Sequence, residues 1–364
     1  MHQAVFERAN VIAVHTKPDP TPAAGEIRVR VKASGVNFAD MLMRLGIYPE
    51  APPFPNVAGY EVSGIVDAVG ANVSEALVGK AVVGITYFNG YSDTVVAPAA
   101  QFIEKPASVS FIEAASIPVV YLTAYMLLIH MGSLRKGQTV LIHNAGSGVG
   151  LAAIDLANHI GAIAIGTASA SKHAFLRTKG FAQLIDYRSE KWEERVLDLT
   201  NGKGVDLIID PIGGRDSWLR NFKSLRKGGR LGFFGASTMH ERIKSSKGIF
   251  GYIWAWVQIA FEMVLQAPSW SPLKLMDENK AVFGVNLAKL ISDIEYPIQW
   301  LKEIFEGIDE GWIHPHIDSV FEITNVAGAH KRVEERKSLG KVVLVPDAKD
   351  PVHDQSRYNF IFEV

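Results

Sequence analysis

The stretch Thr139–Gly161, TVLIHNAGSGVGLAAIDLANHIG, decides the fold of this 364-residue chain. Residues 139–143 are an apolar, β-branched run of the kind that forms a buried strand. Residues 144–150 include three glycines, and residues 151–160 have apolar positions at helical spacing before Gly161 ends the helix. A strand, a glycine turn and a helix open a dinucleotide-binding fold, because glycines let the backbone approach a pyrophosphate and the helix N-terminus favours its negative charge.

The surrounding chain favours this interpretation over an ordinary strand-to-helix turn. The turn taken by itself does not exclude that alternative, because Gly146 and Gly148 fit the G-x-G-x-x-G motif whereas Leu151 does not. Later runs continue a rhythm of strands and helices, and they lie at 162–167, 183–187, 205–210 and 230–235. Strands that alternate with helices predict a parallel, doubly wound sheet.

The N-terminal third of the chain has a different character. In Glu26–Ala33, apolar and basic residues alternate, which predicts a half-solvated antiparallel strand. Short β-type runs with glycine turns follow and predict an all-β unit of roughly 120 residues. Helical patterns begin after Ser110 and include Ile112–His130. The run KVVLVP at 341–346 is expected to be a strand that returns to this first β unit.

Composition excludes several classes of protein. The 37 basic and 38 acidic residues nearly balance, so we expect no nucleic-acid partner. The chain has no cysteine, which excludes disulfides, thiolate catalysis and zinc bound by cysteine. The N-terminus lacks the pattern of a secretory signal, and we expect a cytoplasmic protein.

The segment 249–267, IFGYIWAWVQIAFEMVLQA, is apolar except for a polar stripe. The stripe consists of Gln258, Glu262 and Gln266, which recur every four residues and would share one helix face. A carboxylate in such a stripe argues against a membrane span. The segment is interpreted as a helix buried against the sheet, a lid or a subunit contact. Attachment to a membrane surface is the alternative, supported by the residues Trp254, Trp256, Lys244 and Lys247.

Taken together, these motifs resemble the medium-chain dehydrogenase/reductase superfamily. The resemblance rests on ASGVNFAD at 33–40, NVAGYEVSGIVDAVG at 56–70, the glycine turn at 144–150 and GKVVLVP at 340–346. Within the superfamily, NFADMLMRLGIY and HPHIDSV resemble the zinc-free quinone oxidoreductase branch and, closest, the synaptic vesicle amine transport protein homologues.

The resemblance implies an α/β protein in which a GroES-like β-barrel catalytic domain accompanies a doubly wound Rossmann domain. The expected boundaries are 1–122 and 290–346 for the catalytic domain, 123–289 for the NADP-binding domain with its apolar insert, and 347–364 for a C-terminal tail.

The same resemblance indicates that no catalytic metal is present. Zinc alcohol dehydrogenases of the superfamily have a cysteine ligand at the position of Asn37 and a histidine ligand at the position of Tyr60. Asparagine and tyrosine are poor zinc ligands beside thiolate and imidazole.

NADPH is the expected coenzyme. NAD-preferring Rossmann units carry an acidic residue about 20 residues after the glycine turn, but residues 166–172 (GTASASK) contain no carboxylate. Ser169 offers a hydroxyl and Lys172 a positive charge, both suited to a 2′-phosphate, although Ser169 could also cap the next helix. The resemblance adds Tyr187, stacked beside the phosphate, and Arg336, near the coenzyme.

The resemblance also implies the remaining coenzyme contacts. Thr123 and Asn37 are expected near the nicotinamide and its ribose. The turn would bind the pyrophosphate, with Ser147 either donating a hydrogen bond to it or crowding it. The other expected contacts are Gly148, Val149, Gly150, Phe234, Gly235, Gly284 and Asn286.

Without a metal, hydride transfer is expected to an acceptor that is already electrophilic, namely a quinone or an α,β-unsaturated carbonyl. The candidate hydrogen-bond donors are Tyr48, Tyr60 and Asn37, of which Tyr48 matches an active-site tyrosine of the quinone oxidoreductases. Tyr60 could instead fill the space that zinc leaves. The sequence thus predicts an NADPH-dependent reductase that forms a homodimer. The alternative is an NADPH-binding protein with little catalysis that contacts membranes or other proteins through 249–267.

Overall fold

The computed structural model of the chain describes residues 1–246, 248–265, 268 and 270–362, and these form two compact units. The first unit combines Met1–Leu122 with Leu287–Val364, and the second is Thr123–Asn286. This division differs from the expected boundaries in two places. Residues 287–289 belong to the first unit, and so does the segment at 347–364 that was expected to be a separate tail.

The strands, in chain order, are β1 (His2–Arg8), β2 (Val11–Thr16), β3 (Glu26–Gly35), β4 (Glu61–Val69), β5 (Ala81–Ile85), β6 (Thr94–Pro98), β7 (Phe102–Glu104), β8 (Thr139–Ile142), β9 (Ile163–Thr167), β10 (Gln183–Ile185), β11 (Val205–Asp210), β12 (Leu225–Phe233), β13 (Ala281–Gly284), β14 (Ile317–Glu322), β15 (Lys341–Val345) and β16 (Phe360–Ile361). The α-helices are α1 (Phe38–Arg44), α2 (Phe111–Ala115), α3 (Pro118–Tyr125), α4 (Gly148–Ile160), α5 (Ala170–Thr178), α6 (Trp192–Leu199), α7 (Arg215–Ser224), α8 (Ser237–Ser245), α9 (Gly248–Leu265), α10 (Pro272–Glu278), α11 (Leu287–Leu290), α12 (Glu295–Asp309) and α13 (Val326–Glu334).

The second unit is a parallel sheet with the strand order β10-β9-β8-β11-β12-β13. In order of appearance this is 3-2-1-4-5-6, the doubly wound order of dinucleotide-binding folds. All six residues of β11, VDLIID, are buried, as expected for a central strand covered on both faces. The predicted fold class is confirmed, and the glycine turn lies beside the point where the strand order reverses.

The first unit is built around a sheet with the order β16-β14-β15-β3-β4-β5-β7, and β6 pairs with β3. In β3, Ile27, Val29 and Val31 are buried and the basic residues between them are partly exposed, which confirms the predicted alternation. β15 pairs with β3 in antiparallel orientation, so the strand near the end of the chain returns to the N-terminal β unit as predicted. The short strand β16 then pairs with β14 and attaches the last described residues to the same sheet.

One helical prediction needs correction. The pattern at Ile112–His130 is not one helix, because α2 ends at Ala115 and α3 begins at Pro118. A proline disfavours helical dihedral angles at the residue before it, and Pro118 has no N–H group to continue the hydrogen-bond ladder. After α3 the chain continues as a π-helical segment, Met126–His130.

Helix α9 contains the described part of the apolar segment at 249–267. Ala255 and Ile259 on one face are buried, whereas Trp254, Val257 and Phe261 on another are 62%, 50% and 49% exposed. Of the residues in the earlier interpretation, Lys247, Gln266 and Ala267 lie outside the described residues, as do the side chains of Lys244 and Glu262. Among the described residues, no helix is both long and apolar enough to cross a bilayer.

Candidate coenzyme and active site

Most predicted coenzyme contacts of the second unit end or follow a parallel strand at its carboxyl end. This edge of a doubly wound sheet is where such folds bind dinucleotides. Ser147, Gly148, Val149 and Gly150 follow β8, Ser169 and Lys172 follow β9, Tyr187 follows β10, Phe234 and Gly235 follow β12, and Gly284 and Asn286 lie at the end of β13. The sheet topology therefore brings these residues to one edge.

The glycine turn has a serine that caps helix α4. The Oγ of Ser147 accepts a hydrogen bond from the N–H of Gly150 at 3.1 Å, so the hydroxyl hydrogen can still be donated to another acceptor. At Gly150 a side chain would not fit, because a Cβ would overlap the carbonyl oxygen of Ala145 and lie 2.7 Å from its carbonyl carbon. The first N–H groups of the helix have no partners within it and can bind an anion.

The residues expected at a 2′-phosphate follow two neighbouring strands, β9 and β10. Ser169 occupies the N-cap position of α5, but its hydroxyl contacts that of Ser171 at 3.3 Å and caps no helix N–H. Lys172 lies in the first turn of the same helix and is partly exposed. Tyr187 is 38% exposed, and the guanidinium of Arg188 lies 5.9 Å from the centre of its ring. Arg188 is a second cation in this region that the sequence reasoning missed.

A buried polar network fixes the turns below this edge. The carboxylate of Asp210 accepts hydrogen bonds from the N–H of Ile212 at 2.7 Å and from Nδ2 of Asn221 at 2.9 Å. The Oδ1 of Asn221 then lies 2.8 Å from Nε2 of His143, and Nδ1 of His143 lies 3.0 Å from Oγ1 of Thr167. Burial lowers the pKa of His143, so the ring is neutral, donates through Nε2 and accepts through Nδ1.

Of the contacts expected after β12, Phe234 is partly exposed and Gly235 is exposed. The N–H of Phe234 donates to the carbonyl of Asp210 at 3.1 Å, and a Cβ at Gly235 would come within 2.8 Å of the carbonyl oxygen of Pro211. Gly284 and Asn286 are both exposed.

Two further predicted contacts do not follow strands of the parallel sheet. Thr123 is only 8% exposed and lies on helix α3. Arg336 belongs to the first unit, where it follows α13 with a φ of 56°, a left-handed conformation that is uncommon for a residue with a side chain.

In the first unit, the side chain of Asn37 is held by a buried ion pair. The Nζ of Lys341 lies 2.5 Å from Oδ1 of Asn37 and 2.6 Å from Oε1 of Glu61. Nδ2 of Asn37 donates to the same Oε1 at 2.9 Å. The other oxygen of Glu61 accepts the N–H of Val119, at the start of α3. Glu61 is fully buried and Lys341 is 4% exposed, and the sequence reasoning assigned neither of them to the site.

Asp40 organises the backbone around Asn37. Its carboxylate accepts hydrogen bonds from the N–H of Asn37 at 2.7 Å, the N–H of Gly59 at 3.2 Å and the hydroxyl of Tyr91 at 2.7 Å. Burial raises the pKa of Asp40 to about 6, although these hydrogen bonds oppose the shift. Asp40 thereby connects the start of α1 to the loop that leads into Tyr60.

The tyrosines form an aromatic cluster. The rings of Tyr48 and Tyr60 meet edge to face with their centres 6.0 Å apart, and Tyr60 also contacts Tyr87 and Phe88. Burial raises the pKa of both Tyr48 and Tyr60. Tyr60 is 5% exposed and Tyr48 is partly exposed, so Tyr48 is the more accessible donor. Tyr87, which sequence reasoning missed, has a φ of 65°, and such strained residues cluster at functional sites.

The side chains at the positions of the superfamily's zinc ligands do not fit zinc. The amide oxygen of Asn37 already binds the ammonium of Lys341, and a cation at that distance repels a second one. The hydroxyl of Tyr60 faces Met43, with its oxygen 3.8 Å from Sδ. No group of three or more histidine, aspartate and glutamate side chains that could hold a metal occurs in the part of the chain that the structure describes.

Comparisons with known proteins agree with this architecture. A family model described as alcohol dehydrogenase GroES-like domain matches residues 23–107, and one described as zinc-binding dehydrogenase matches residues 179–344. The human synaptic vesicle membrane protein VAT-1 homolog is 35% identical over 328 residues, which cover 90% of this chain and 80% of that protein.

Solved structures show the same likeness. The crystal structure of the human VAT-1 homolog-like protein has a TM-score of 0.80 and 27% identity, and covers 96% of this chain and 99% of its own. The Escherichia coli quinone oxidoreductase, complexed with NADPH, has a TM-score of 0.80 and 28% identity, and covers 95% of this chain and all of its own (100%). The chain therefore belongs to the medium-chain dehydrogenase/reductase superfamily of oxidoreductases, close to the VAT-1 homologues and the quinone oxidoreductases.

Proposed function

We propose that this protein is an NADPH-dependent reductase that transfers hydride to a quinone or an α,β-unsaturated carbonyl without zinc. The observation that carries the proposal is the contact between Lys341 and Asn37, because it puts a buried ammonium against the side chain that stands at the position of a zinc ligand in related alcohol dehydrogenases. An acceptor whose developing negative charge is delocalised needs no metal ion.

The second unit supplies the features that favour NADPH. The glycine turn has no side chain at Gly148 or Gly150, and the residues 168–172 after β9 include Lys172 but no carboxylate of the kind that binds a ribose 2′-hydroxyl. Arg188, after β10, adds a second cation. A 2′-phosphate is stabilised by such cations. The NADPH in the complex of the Escherichia coli quinone oxidoreductase supports the same choice. When bound, the reduced nicotinamide supplies the hydride.

The first unit supplies the groups that would meet the acceptor. Tyr48 donates a hydrogen bond to the substrate oxygen, where charge develops during hydride transfer, and its raised pKa keeps it protonated at neutral pH. Tyr60 supports the Tyr48 ring from the buried side. Asn37 contacts the coenzyme through its remaining N–H group.

The test is the oxidation of NADPH and NADH by the purified protein with a panel of quinones and enones, alongside elemental analysis for zinc. We expect turnover with NADPH that survives a metal chelator, with no stoichiometric zinc. Background rates across the whole panel would refute the reductase. Stoichiometric zinc, or activity that a chelator abolishes, would refute its zinc independence.

A second candidate function is peripheral contact with a membrane, with little catalysis. The observation that favours it is the exposed apolar face of α9, because a patch that contains Trp254, Val257 and Phe261 is unusual on a monomer surface. In this case the protein would sediment with lipid vesicles, and W254S/F261S would abolish sedimentation. Tyr296, which is 60% exposed in the first unit, provides the matched control Y296S. Failure of the wild-type protein to sediment would refute this candidate.

The protein is also proposed to be a homodimer. β13 pairs only with β12 among the described strands and forms an edge of the parallel sheet. The preceding helix α10 exposes Leu273 and Met276 at 76% and 74%. Strand edges and apolar surface of this kind are usually covered. Sedimentation velocity should show a dimer that L273E/M276E dissociates, and a monomeric wild type would refute the proposal.

A further inference from the structure

The buried ion pair Lys341–Glu61 determines which end of the Asn37 amide faces which partner. In the observed orientation, Oδ1 meets the ammonium of Lys341 and Nδ2 meets the carboxylate of Glu61. Rotation of the amide by half a turn would put its N–H groups against the ammonium and its oxygen against the carboxylate. Both contacts would then be repulsive, so the two charges permit a single orientation.

In this orientation, one N–H group of the Asn37 amide makes only a long hydrogen bond. Nδ2 has two hydrogens, and apart from Glu61 its contact is the carbonyl oxygen of Gly35 at 3.4 Å, which is long for a hydrogen bond. Oδ1, in contrast, is occupied by a charged donor. Asn37 can therefore offer a donor to a ligand, whereas its carbonyl oxygen already accepts a hydrogen bond from an ammonium.

Stability alone does not explain why charged residues are buried here. Taking two charges out of water costs about as much as their attraction returns, and apolar residues of similar volume often stabilise a protein equally well. A hydrogen-bonded ion pair that contacts a candidate site residue instead fits a role in fixing geometry. The second oxygen of Glu61 binds the N–H of Val119, which holds the carboxylate itself in place.

We propose that Lys341 and Glu61 are positioning residues that hold Asn37 so that it presents an N–H group to an acceptor oxygen of the bound coenzyme or substrate. This inference rests on the proposed function, because Asn37 is assigned to the coenzyme there. It adds two residues to the machinery of that site, and both act through Asn37.

The decisive variant is K341M/E61Q, which removes both charges, keeps similar volumes and leaves no buried charge unpaired. We expect it to keep its melting temperature, while kcat/KM with a quinone falls, and the Kd for NADPH rises, by about tenfold. K341R keeps a positive charge beside Glu61 and should lose less than K341M/E61Q in both measurements. If K341M/E61Q matched wild type in both, the pair would be merely structural and the proposal would be wrong.

A double-mutant cycle tests whether the pair acts through Asn37. Adding N37A to K341M/E61Q should raise the Kd for NADPH by less than about a further twofold. If the effects of N37A and K341M/E61Q on the Kd multiplied, the proposal would be overturned. D67N is the matched control, because Asp67 lies on the same strand as Glu61 and pairs with Arg28 at 2.7 Å. It should lower the melting temperature without changing the Kd.

The Kd measurements separate this inference from the proposed function. If the wild-type protein bound NADPH but reduced no quinone or enone, the reductase assignment would fail. A non-additive cycle in Kd would still support the positioning role.

Discussion

Substitution of Gly150 by alanine tests whether the glycine turn is shaped for close approach of a phosphate. Gly150 lies in the first turn of α4, and its N–H group donates to the hydroxyl of Ser147. An added Cβ would overlap the carbonyl oxygen of Ala145 and lie 2.7 Å and 2.8 Å from the carbonyl carbon and Cα of that residue. All of these atoms belong to the backbone, so the turn itself must move.

The size of the effect can be estimated from these contacts. Overpacking of this kind costs about 1–3 kcal/mol, and alanine recovers about 1 kcal/mol of helix propensity over glycine. A net loss of about 1 kcal/mol lowers the melting temperature of the second unit, Thr123–Asn286, by about 2–4 °C. The displaced N–H groups should also weaken NADPH binding by at least about tenfold, which corresponds to about 1.4 kcal/mol.

Gly161 provides a matched control at the other end of the same helix. It has a φ of 77°, so alanine there costs about 1–2 kcal/mol in backbone strain, but it lies far from the turn. Thermal unfolding and fluorescence titration with NADPH should show both variants destabilised and only Gly150→Ala weakened in binding. Unchanged affinity in Gly150→Ala, or an equal loss in Gly161→Ala, would refute the reasoning.

Three further predictions concern single side chains. Lys172→Ala should raise the Kd for NADPH by about 10- to 100-fold, because a charge-assisted hydrogen bond is worth about 1.5–3 kcal/mol; equal losses for NADPH and NADH in titrations would contradict its role at the 2′-phosphate. Tyr48→Phe should lower kcat with a quinone while leaving the Kd for NADPH unchanged, and a wild-type kcat would demote Tyr48 to packing. The pKa of Asp40 in the folded protein, about 6, lies above its ordinary value of 3.8, so the folded state binds this proton more tightly and stability is lost as the pH rises from about 4 to about 6. Denaturant unfolding across this range should show that decline in the wild type and a flatter profile in Asp40→Asn, and parallel profiles would contradict the shift.

Local patterns were sufficient to predict the fold. The run from Thr139 to Gly161 contains a strand, a turn and a capped helix in sequence, and each is specified by neighbouring residues. The alternation in β3 likewise depends on a period of two within a single strand. The break before Pro118 was also available from the sequence, because proline restricts the residue before it.

The groups that organise the candidate site were not predictable in this way. Lys341 and Asn37 are separated by 304 positions, and His143 and Asn221 by 78. Neither pair produces a periodic or local signal, since the sheets bring the partners together. For a related reason the sequence left open whether the apolar face of α9 is buried or exposed, because hydrophobicity alone does not tell which apolar side chains find a partner.

The antiparallel pairing of β15 with β3 has a consequence for biosynthesis. The first unit combines strands from both parts of the chain that flank the second unit, so its sheet cannot be completed until β15 and β16 have been made. Because the middle unit is continuous, it can fold earlier during translation. Before Lys341 has been made, Glu61 lacks its counterion, and a chain released early would leave that buried carboxylate without its cation.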